Sequence, residues 1–429
     1  MIPIYSYKEV PLDRILTRDN TADDQVNDQV KAILETVRKG GDKALLDCCA
    51  RFDGGAPDPL EVPREELEEA CRQADPAFVK ILEEARDHIA DFHRRQLHNN
   101  FFTTGRDGVM MGQRYTPIEK VGLYVPGGTA SYPSTVLMDA VPAKIAGVSQ
   151  IIMATPPGKD GKVRPEILTA AVVAGVDRVF RMGGAHAVAA MAYGTETVPK
   201  VYKIVGPGNI YVSCAKRFVY GTVDIDMIAG PSEILIVADE GCNPRWVAAD
   251  LLSQAEHDKL ASAVLVTPSR ELALGVQQEL ERQIPLLERA EIARASIDQN
   301  GRIILVEDLR QGVEAANEIA PEHLELAVAD PFGLLPLVKN AGSIFLGRHV
   351  PEALGDYFAG PNHTLPTSGT ARFSSPLSVD DFVKKSSFIY YTPEALAREG
   401  EQVMGFARQE GLGAHARSVE VRLEKEETP

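Results

Sequence analysis

The chain changes character at Val121-Gly122-Leu123-Tyr124-Val125-Pro126-Gly127-Gly128. The apolar run that opens this stretch has the length and composition of a buried strand, and the Pro-Gly-Gly that follows it forces a tight turn. Residues 131–146, from Ser131 onward, then have the pattern of a helix. A strand, a tight turn and a helix in this order predict the beginning of a βαβ unit, in which parallel strands alternate with helices.

The same alternation of strand and helix patterns continues along the chain. Further apolar strands are predicted at 151–154, 179–180, 203–205, 234–237, 263–266 and 303–306, with helical segments between them and helical patterns at 24–52 and 64–96. These patterns predict an α/β fold of two Rossmann-like domains with mostly parallel sheets, plus small helical appendages at the N and C termini.

The composition limits the classes of protein to which the chain can belong. Of its 429 residues, 44% are hydrophobic and 25% are charged, as in ordinary globular proteins of more than one domain. The net charge of -16 repels phosphate backbones, so we expect no nucleic-acid partner. No apolar run reaches the ~20 residues of a membrane span, and the start of the chain lacks an export-signal pattern. We therefore expect a cytoplasmic protein without a membrane partner.

A metal site in this chain would have to use nitrogen and oxygen ligands, because the five cysteines include no Cys-x-x-Cys pair. One candidate lies in residues 243–257, where Asn243 and Pro244 open a helical pattern. Gln254 and His257 leave the same face about one turn apart, so one cation could touch both. A histidine near a helix C-terminus is also stabilised by the helix dipole, and the pair alone leaves both explanations open.

Two further features do not decide the function by themselves. The turn Gly206-Pro207-Gly208-Asn209 follows a strand, as phosphate-binding turns do, but it lacks the third glycine of the dinucleotide fingerprint, and tight turning explains it equally well. His88, His93 and His98 are spaced by five residues, which places them on different helix faces, and we expect them to be solvated rather than metal ligands.

A set of longer motifs is chemically unusual and ordered along the chain. Besides residues 121–128, the motifs are Gly206-Pro207-Gly208-Asn209, Ala229-Gly230-Pro231-Ser232-Glu233, Ser253-Gln254-Ala255-Glu256-His257, Pro321-Glu322-His323-Leu324 and Asn362-His363-Thr364-Leu365-Pro366-Thr367. Together, and over nearly the whole chain, they resemble the histidinol dehydrogenase family.

The resemblance implies a zinc centre and a catalytic pair. The implied Zn²⁺ ligands are Gln254, His257, Asp356 and His415, an amide, imidazole and carboxylate set that suits this ion. His323 would take the proton of an alcohol and Glu322 would activate water against the resulting aldehyde. Substrate contacts are implied for Ser232, His323, His363, Glu410 and the four zinc ligands. Without the other motifs, Glu322 and His323 would equally be polar residues that follow a helix ended by Pro321.

The resemblance also implies an NAD site formed by Tyr124, a glutamine and Asn209. In this chain His186 takes the place of the glutamine, and a neutral histidine can still hydrogen-bond a ribose hydroxyl although it is shorter and differently shaped. The implied reaction is the NAD-dependent four-electron oxidation of L-histidinol, through the aldehyde, to L-histidine at the end of histidine biosynthesis.

An intertwined homodimer is implied as well, in which Glu410 and His415 of one chain complete the site of the other. The implied domains are an N-terminal arm at 1–23, a first discontinuous Rossmann-like domain at 24–123 and 232–377 that carries the metal and catalytic residues, a second at 124–231 on the NAD side, and a helical C-terminal arm at 378–429.

Other functions stay open at the level of the sequence. A related zinc- and NAD-dependent dehydrogenase of another polar alcohol, such as a sulfonated diol, would use the same motifs, because pocket specificity rests on few contacts. A zinc hydrolase in which Glu322 activates water, a metal-binding protein without catalysis, and an aldehyde oxidation through Cys214 or Cys242 are further alternatives.

Overall fold

The structure is a computed structural model that describes residues 1–8, 24–127 and 132–424. Gly128 and Ser131 of the predicted turn and helix entry, and residues 9–23 of the predicted N-terminal arm, lie outside the described residues. The described chain divides into two compact units. The first joins Met1–Gln96 to Ile118–Phe382, and the second joins Leu97–Pro117 to the chain from Val383 onward.

The strands, in chain order, are β1 (Ile4–Ser6), β2 (Phe101–Arg106), β3 (Val109–Pro117), β4 (Lys120–Tyr124), β5 (Gln150–Thr155), β6 (Arg178–Arg181), β7 (Lys203–Val205), β8 (Asp224–Ile225), β9 (Glu233–Ala238), β10 (Ser262–Thr267), β11 (Arg302–Leu305), β12 (His323–Ala327), β13 (Ser343–Leu346) and β14 (Val383–Tyr391).

The α-helices are α1 (Asp24–Phe52), α2 (Arg64–Gln73), α3 (Pro76–Arg94), α4 (Pro133–Ala146), α5 (Pro165–Ala174), α6 (Gly184–Tyr193), α7 (Ile210–Val219), α8 (Pro244–Ala255), α9 (Arg270–Gln283), α10 (Ala290–Asn300), α11 (Leu309–Ile319), α12 (Pro331–Leu334), α13 (Ala353–Tyr357), α14 (Pro393–Gln409) and α15 (Gly413–Leu423). None of these described helices is long and apolar enough to cross a membrane.

The first unit contains two parallel sheets. The six-stranded sheet has the order β1-β11-β10-β9-β12-β13, and the five-stranded sheet has the order β6-β5-β4-β7-β8. Strand β9 is buried along its whole length because successive side chains enter different cores: Ile234 packs with one hydrophobic cluster and Leu235 with another. The predicted α/β class with mostly parallel sheets is confirmed.

The second unit is built differently. Strands β2, β3 and β14 form an antiparallel three-stranded sheet, and helices α14 and α15 pack together around Met404, Ala407 and Ala416. The sequence patterns predicted a helical C-terminal appendage but not this sheet. Strands β2 and β14 are exposed along nearly their whole length although they carry large apolar side chains. They therefore lack the alternation of apolar and polar residues by which a strand is recognised in a sequence.

The helices that precede β4 pack on the five-stranded sheet. Val30 of α1 lies in one core with Tyr124, and Leu82 of α3 lies in another with Val121. The resemblance grouped residues 24–123 with the six-stranded sheet and placed a domain boundary after Leu123. That boundary falls inside β4, and all residues of β4 pair with β5 of the five-stranded sheet. Periodicity identifies the apolar face of a helix but not the sheet that covers it. The division into two domains itself stays a prediction.

One of the three histidines near α3 departs from the expectation of solvation. His93 is fully buried, and its Nδ1 lies 2.7 Å from Oε1 of Gln96, whereas His88 and His98 are exposed. The helical pattern at 64–96 is also broken in two, because Asp75 caps α3 by accepting the N–H of Ala77 at 2.9 Å. The expectation of solvation was wrong for His93 because this residue lies on the buried face of α3.

Candidate active site

The candidate site is built on the amino ends of neighbouring strands in the six-stranded sheet. Glu233 begins β9, His323 begins β12 and Ser343 begins β13. The register pairs His323 with Ile234 on one side and with Ser343 on the other. Open α/β sheets usually bind ligands at the carboxyl ends of their strands, so this cluster occupies the opposite edge.

Glu233 holds both residues of the predicted catalytic pair. Its backbone N–H donates to Oε2 of Glu322 at 2.9 Å, and its carbonyl oxygen lies 2.9 Å from Nδ1 of His323. Because a carbonyl only accepts, Nδ1 carries a proton and donates it, and in the neutral ring Nε2 keeps a lone pair. The ring is therefore oriented to accept a proton at Nε2.

The Nε2 of His323 faces two carboxylates. It lies 3.7 Å from Oε1 of Glu352 and 3.8 Å from Oδ1 of Asp356. Neither Nε2 nor Oε1 of Glu352 has a hydrogen-bond partner among the described residues, although both residues are buried. One atom from each of the three residues lies within 4.8 Å of the others. Buried polar atoms without partners are rare, so this cluster suits a cation or a polar group of a ligand.

Helix α8 brings two more predicted ligands to this edge. Asn243 caps the helix by accepting the N–H of Arg245 at 2.9 Å, as its position before Pro244 predicted. Gln254 is buried in the last turn. Burial lowers the pKa of His257, against the opposing charge of Asp356. A neutral imidazole keeps the lone pair that metal binding requires.

Asp356 and His363 are joined through the backbone. Nδ1 of His363 donates to the carbonyl oxygen of Asp356 at 3.0 Å, and Nε2 lies 3.3 Å from the hydroxyl of Thr135. Burial lowers the pKa of His363. Burial would raise the pKa of Asp356, but the neighbouring imidazoles of His323 and His363 outweigh burial and bring the pKa below its usual value. Asp356 is therefore ionised.

The catalytic pair is electrostatically coupled, with Nδ1 of His323 3.6 Å from Oε2 of Glu322. Burial raises the pKa of Glu322 to about 8 against the charge of His323. Burial would lower the pKa of His323, but the charges of Glu322, Asp356 and Glu352 outweigh it and raise the pKa to about 10. A cation bound among these carboxylates would offset their charge and lower the pKa of His323 toward that of a base.

A cavity of about 270 Å³ opens beside the cluster. His323, Asp356 and His363 line it together with apolar side chains such as Phe345 and Leu365. Its size and mixed lining suit a small ligand with a few polar groups.

The residues predicted to bind NAD lie at the carboxyl ends of strands in the five-stranded sheet. Tyr124 ends β4, and its hydroxyl accepts the N–H of Gly184 at 3.0 Å. His186 is buried, with Nε2 2.8 Å from Oδ2 of Asp53, which also accepts the N–H of Gly183 at 3.0 Å. Only Nδ1 of His186 is left for a further hydrogen bond.

The turn after β7 serves the fold in two ways. Gly206 has a φ of 112°, and a side chain there would collide with the carbonyl oxygen of Tyr124. Asn209 caps α7 by accepting the N–H groups of Tyr211 at 3.1 Å and Val212 at 3.2 Å. Tight turning and helix capping therefore account for this motif without a ligand, and its role in NAD binding stays a prediction.

The remaining predicted residues lie in different parts of the chain. Ser232 comes directly before Glu233, at the same strand edge as the catalytic pair, and its carbonyl oxygen accepts the N–H of Ser262 at 2.9 Å. Glu410 follows α14 and His415 lies in the first turn of α15, so both belong to the second unit, and both are exposed.

The surroundings of Cys214 and Cys242 argue against the alternative in which one of these thiols takes part in aldehyde oxidation. Burial, followed by the charge of Asp239, raises the pKa of Cys242 to about 11, and its Sγ donates to the carbonyl oxygen of Ala327 at 2.7 Å. Sγ of Cys214 donates to Oδ1 of Asn27 at 3.1 Å. A nucleophilic cysteine requires an accessible thiolate, which such a buried thiol does not provide.

Sequence reasoning missed Glu352. Its carboxylate belongs to the cluster around His323, but it lies in none of the motifs that carried the resemblance. The available signal was its spacing of four residues from Asp356, which places two acidic side chains on one face of a helical turn.

The chain matches known proteins over nearly all of its length. The family model described as "Histidinol dehydrogenase" matches residues 16–423. The chain is 56% identical to the histidinol dehydrogenase of Syntrophotalea carbinolica over 414 residues, 96% of each protein, and 52% identical to that of Listeria monocytogenes serovar 1/2a over 416 residues, 97% of each. The crystal structure of histidinol dehydrogenase from Elizabethkingia anophelis is 36% identical, with a TM-score of 0.93 and coverage of 98% of each chain.

Proposed function

Because the chain belongs to the histidinol dehydrogenase family, we propose that it oxidises L-histidinol through L-histidinaldehyde to L-histidine, with two NAD⁺ and one Zn²⁺ per subunit. The family makes it an oxidoreductase of histidine biosynthesis, for which we propose a cytoplasmic location. One observation supports the detailed proposal: among the described residues, Nε2 of the buried His323 has no hydrogen-bond partner, and it lies beside the carboxylates of Glu352 and Asp356.

The residues of the first unit fit a zinc ion by their chemistry. Gln254 offers an amide oxygen, His257 a neutral imidazole and Asp356 an ionised carboxylate. Nε2 of His323 and Oε1 of Glu352 have no hydrogen-bond partner among the described residues, which supports the proposal that a ligand completes this region. When bound, zinc would hold and orient the amino alcohol, and NAD⁺ would accept one hydride in each of the two oxidation steps.

His323 would act as the proton acceptor for the alcohol. Its Nδ1 is committed to the carbonyl oxygen of Glu233, so only Nε2 can take the hydroxyl proton. Burial of the ring excludes competing water. A positioned base of this kind typically contributes about 10²- to 10⁴-fold to the rate.

Glu322 would hold the proton of the water that attacks the aldehyde. Burial raises the pKa of its carboxyl group to about 8, within the range in which a general base works well near neutral pH. The N–H of Glu233 fixes one of its oxygens at 2.9 Å, which leaves the other oxygen for water. The pair therefore divides the two steps between an imidazole and a carboxylate.

The charge of the site favours an amino alcohol over a sulfonated diol. Glu322, Glu352 and Asp356 gather three acidic side chains around His323. Of these, the ionised Asp356 would repel an anionic sulfonate, whereas it would attract a protonated amino group or imidazole. This argument supports L-histidinol over the alternative substrate.

An intertwined homodimer would bring Glu410 and His415 to the site of the partner. The second unit offers exposed apolar side chains for such an interface: Phe102 is 68% exposed, Ile389 69% and Phe406 71%. Where such side chains form a contiguous patch, they mark association surfaces.

Substrate comparison tests the proposed function. Purified protein loaded with Zn²⁺ is given NAD⁺ and either L-histidinol or dihydroxypropanesulfonate, and NADH is followed by absorbance. We expect turnover of L-histidinol and a kcat/KM for the sulfonate that is lower by at least about 10³-fold, because selection by paired polar groups reaches this range. Faster turnover of the sulfonate would replace the proposal by its alternative. Consumption of substrate without NADH would favour a hydrolase.

A further inference from the structure

Glu352 is a buried carboxylate in which one oxygen accepts a hydrogen bond and the other has no partner in the part of the chain that the structure describes. Oε2 accepts the hydroxyl proton of Ser253 at 2.9 Å. The backbone N–H of Glu352 donates to Oε1 of Glu325 at 2.9 Å, so the residue is held from two sides. Its own Oε1 has no hydrogen-bond partner among the described residues, and the side chain is 1% exposed.

The free oxygen points to the same place as the catalytic base. Oε1 of Glu352 lies 3.7 Å from Nε2 of His323, and one ligand atom from each of Glu352, His323 and Asp356 lies within 4.8 Å of the others. A buried acceptor without a donor is costly unless a ligand supplies one. The missing partner is a donor, an N–H or O–H group, or a cation.

We propose, on the basis of the proposed function, that Glu352 is a specificity-determining residue that accepts a hydrogen bond from the amino group of the substrate. L-Histidinol carries its hydroxyl and amino groups on adjacent carbon atoms. When the hydroxyl is at Nε2 of His323, the amino group is brought to the neighbouring acceptor, which is Oε1 of Glu352.

This assignment differs from that of Glu410, the acidic residue that the resemblance implied for the substrate. Glu410 is exposed and belongs to the second unit, whereas Glu352 is positioned beside His323 within one chain. Recognition of the amino group then depends on a carboxylate that is already in place before a second chain contributes.

The test compares two substrates that differ only in the amino group. L-Histidinol and 3-(imidazol-4-yl)propan-1-ol are assayed with the zinc-loaded wild type, with Glu352→Gln, and with Glu240→Gln, which makes the same change at an exposed position. In Glu352→Gln the amide oxygen can still accept from Ser253, and an NH₂ group then meets the amino group. We expect the ratio of kcat/KM for L-histidinol to kcat/KM for the analogue to fall about 10- to 100-fold in Glu352→Gln, the range for hydrogen bonds to charged groups, and to stay within about 3-fold of wild type in the control variant.

Zinc binding separates this role from that of a metal ligand. Titration of each metal-free protein with Zn²⁺ alone should give the same dissociation constant for the wild type and for Glu352→Gln. Weaker zinc binding, or an equal loss with both substrates, would overturn the proposal.

If Glu352→Gln does not fold, Ser253→Ala removes the hydrogen bond to the same carboxylate without changing its charge, and a loss of kcat/KM that is larger for L-histidinol than for the analogue is again the expected result. An equal loss with both substrates would count against the proposal there too. A wild type that makes no NADH from L-histidinol would refute the proposed function itself.

Discussion

The backbone carbonyl of Glu233 lies 2.9 Å from Nδ1 of His323. The two residues begin neighbouring parallel strands, β9 and β12, so the sheet register that pairs His323 with Ile234 also sets the orientation of the imidazole ring. A ring fixed in this way donates at Nδ1 and accepts at Nε2. The base of the proposed reaction is therefore positioned by the core of the fold rather than by a mobile loop.

Replacing the ring tests its role as a base. His323→Gln should lower kcat for L-histidinol by about 10²- to 10⁴-fold, because the proton acceptor is removed. Its zinc content, measured by elemental analysis, should stay equal to that of the wild type. His349→Gln, the same change at an exposed histidine, serves as the control. Loss of zinc from His323→Gln would show that the ring is a ligand and not the base.

Removing a proposed zinc ligand should weaken zinc binding, whereas removing the proposed base should leave it unchanged. His257→Ala and Asp356→Asn should each weaken zinc binding by more than about 100-fold, since even residues that only orient metal ligands typically contribute 10- to 100-fold. Zinc titration of the metal-free proteins gives the dissociation constants. Asp258→Asn, beside His257 but exposed, should bind zinc as the wild type does. Wild-type affinity in His257→Ala would place the metal elsewhere.

His93 should make stability depend on pH. Burial lowers the pKa of His93, so the folded protein holds the ring neutral while the unfolded chain takes up a proton below its usual pKa of about 6.5. The unfolded state then binds more protons, and stability is lost as pH falls below about 6.5. In His93→Gln the decline in the free energy of unfolding between pH 7 and pH 5 should be smaller. The exposed His98→Gln should show the wild-type slope, and an equal slope in His93→Gln would contradict the assignment.

Mixed dimers test whether sites are shared between subunits. Glu322→Ala and His415→Ala should each be inactive alone, but in a heterodimer one site receives an intact Glu322 from one chain and an intact His415 from the other. With random exchange, half of the dimers carry one such site, so roughly a quarter of the wild-type activity should return. No recovery after exchange has been verified with two affinity tags would indicate sites formed within one chain.

The strand alternation and the cap at Asn243 could be predicted from the sequence because each depends on neighbouring residues. Short apolar runs that alternate with helical patterns indicated the parallel sheets, and the Asn-Pro pair indicated the start of α8. Glu322, His323 and Asp356 were identified through the resemblance, and in the structure Glu322 and Asp356 both lie close to the ring of His323 at the start of β12.

Features that depend on distant contacts could not be predicted in the same way. The packing of α1 and α3 on the five-stranded sheet, the burial of His93 and the antiparallel sheet of the second unit all depend on which surfaces meet. Glu352 became visible as a site residue only when its free Oε1 was found opposite His323. A single sequence identifies an acidic residue but not the atom that lacks a partner.

The stoichiometry of NADH is the most direct measurement of the central claim. Zinc-loaded protein is given limiting L-histidinol and excess NAD⁺, the NADH formed is measured by absorbance, and the assay is repeated after chelation and again after Zn²⁺ is restored. The proposed four-electron oxidation predicts two NADH per L-histidinol, lost on chelation and recovered with Zn²⁺. One NADH per L-histidinol would mean that the reaction stops at the aldehyde, and no NADH, or full activity without metal, would contradict the account.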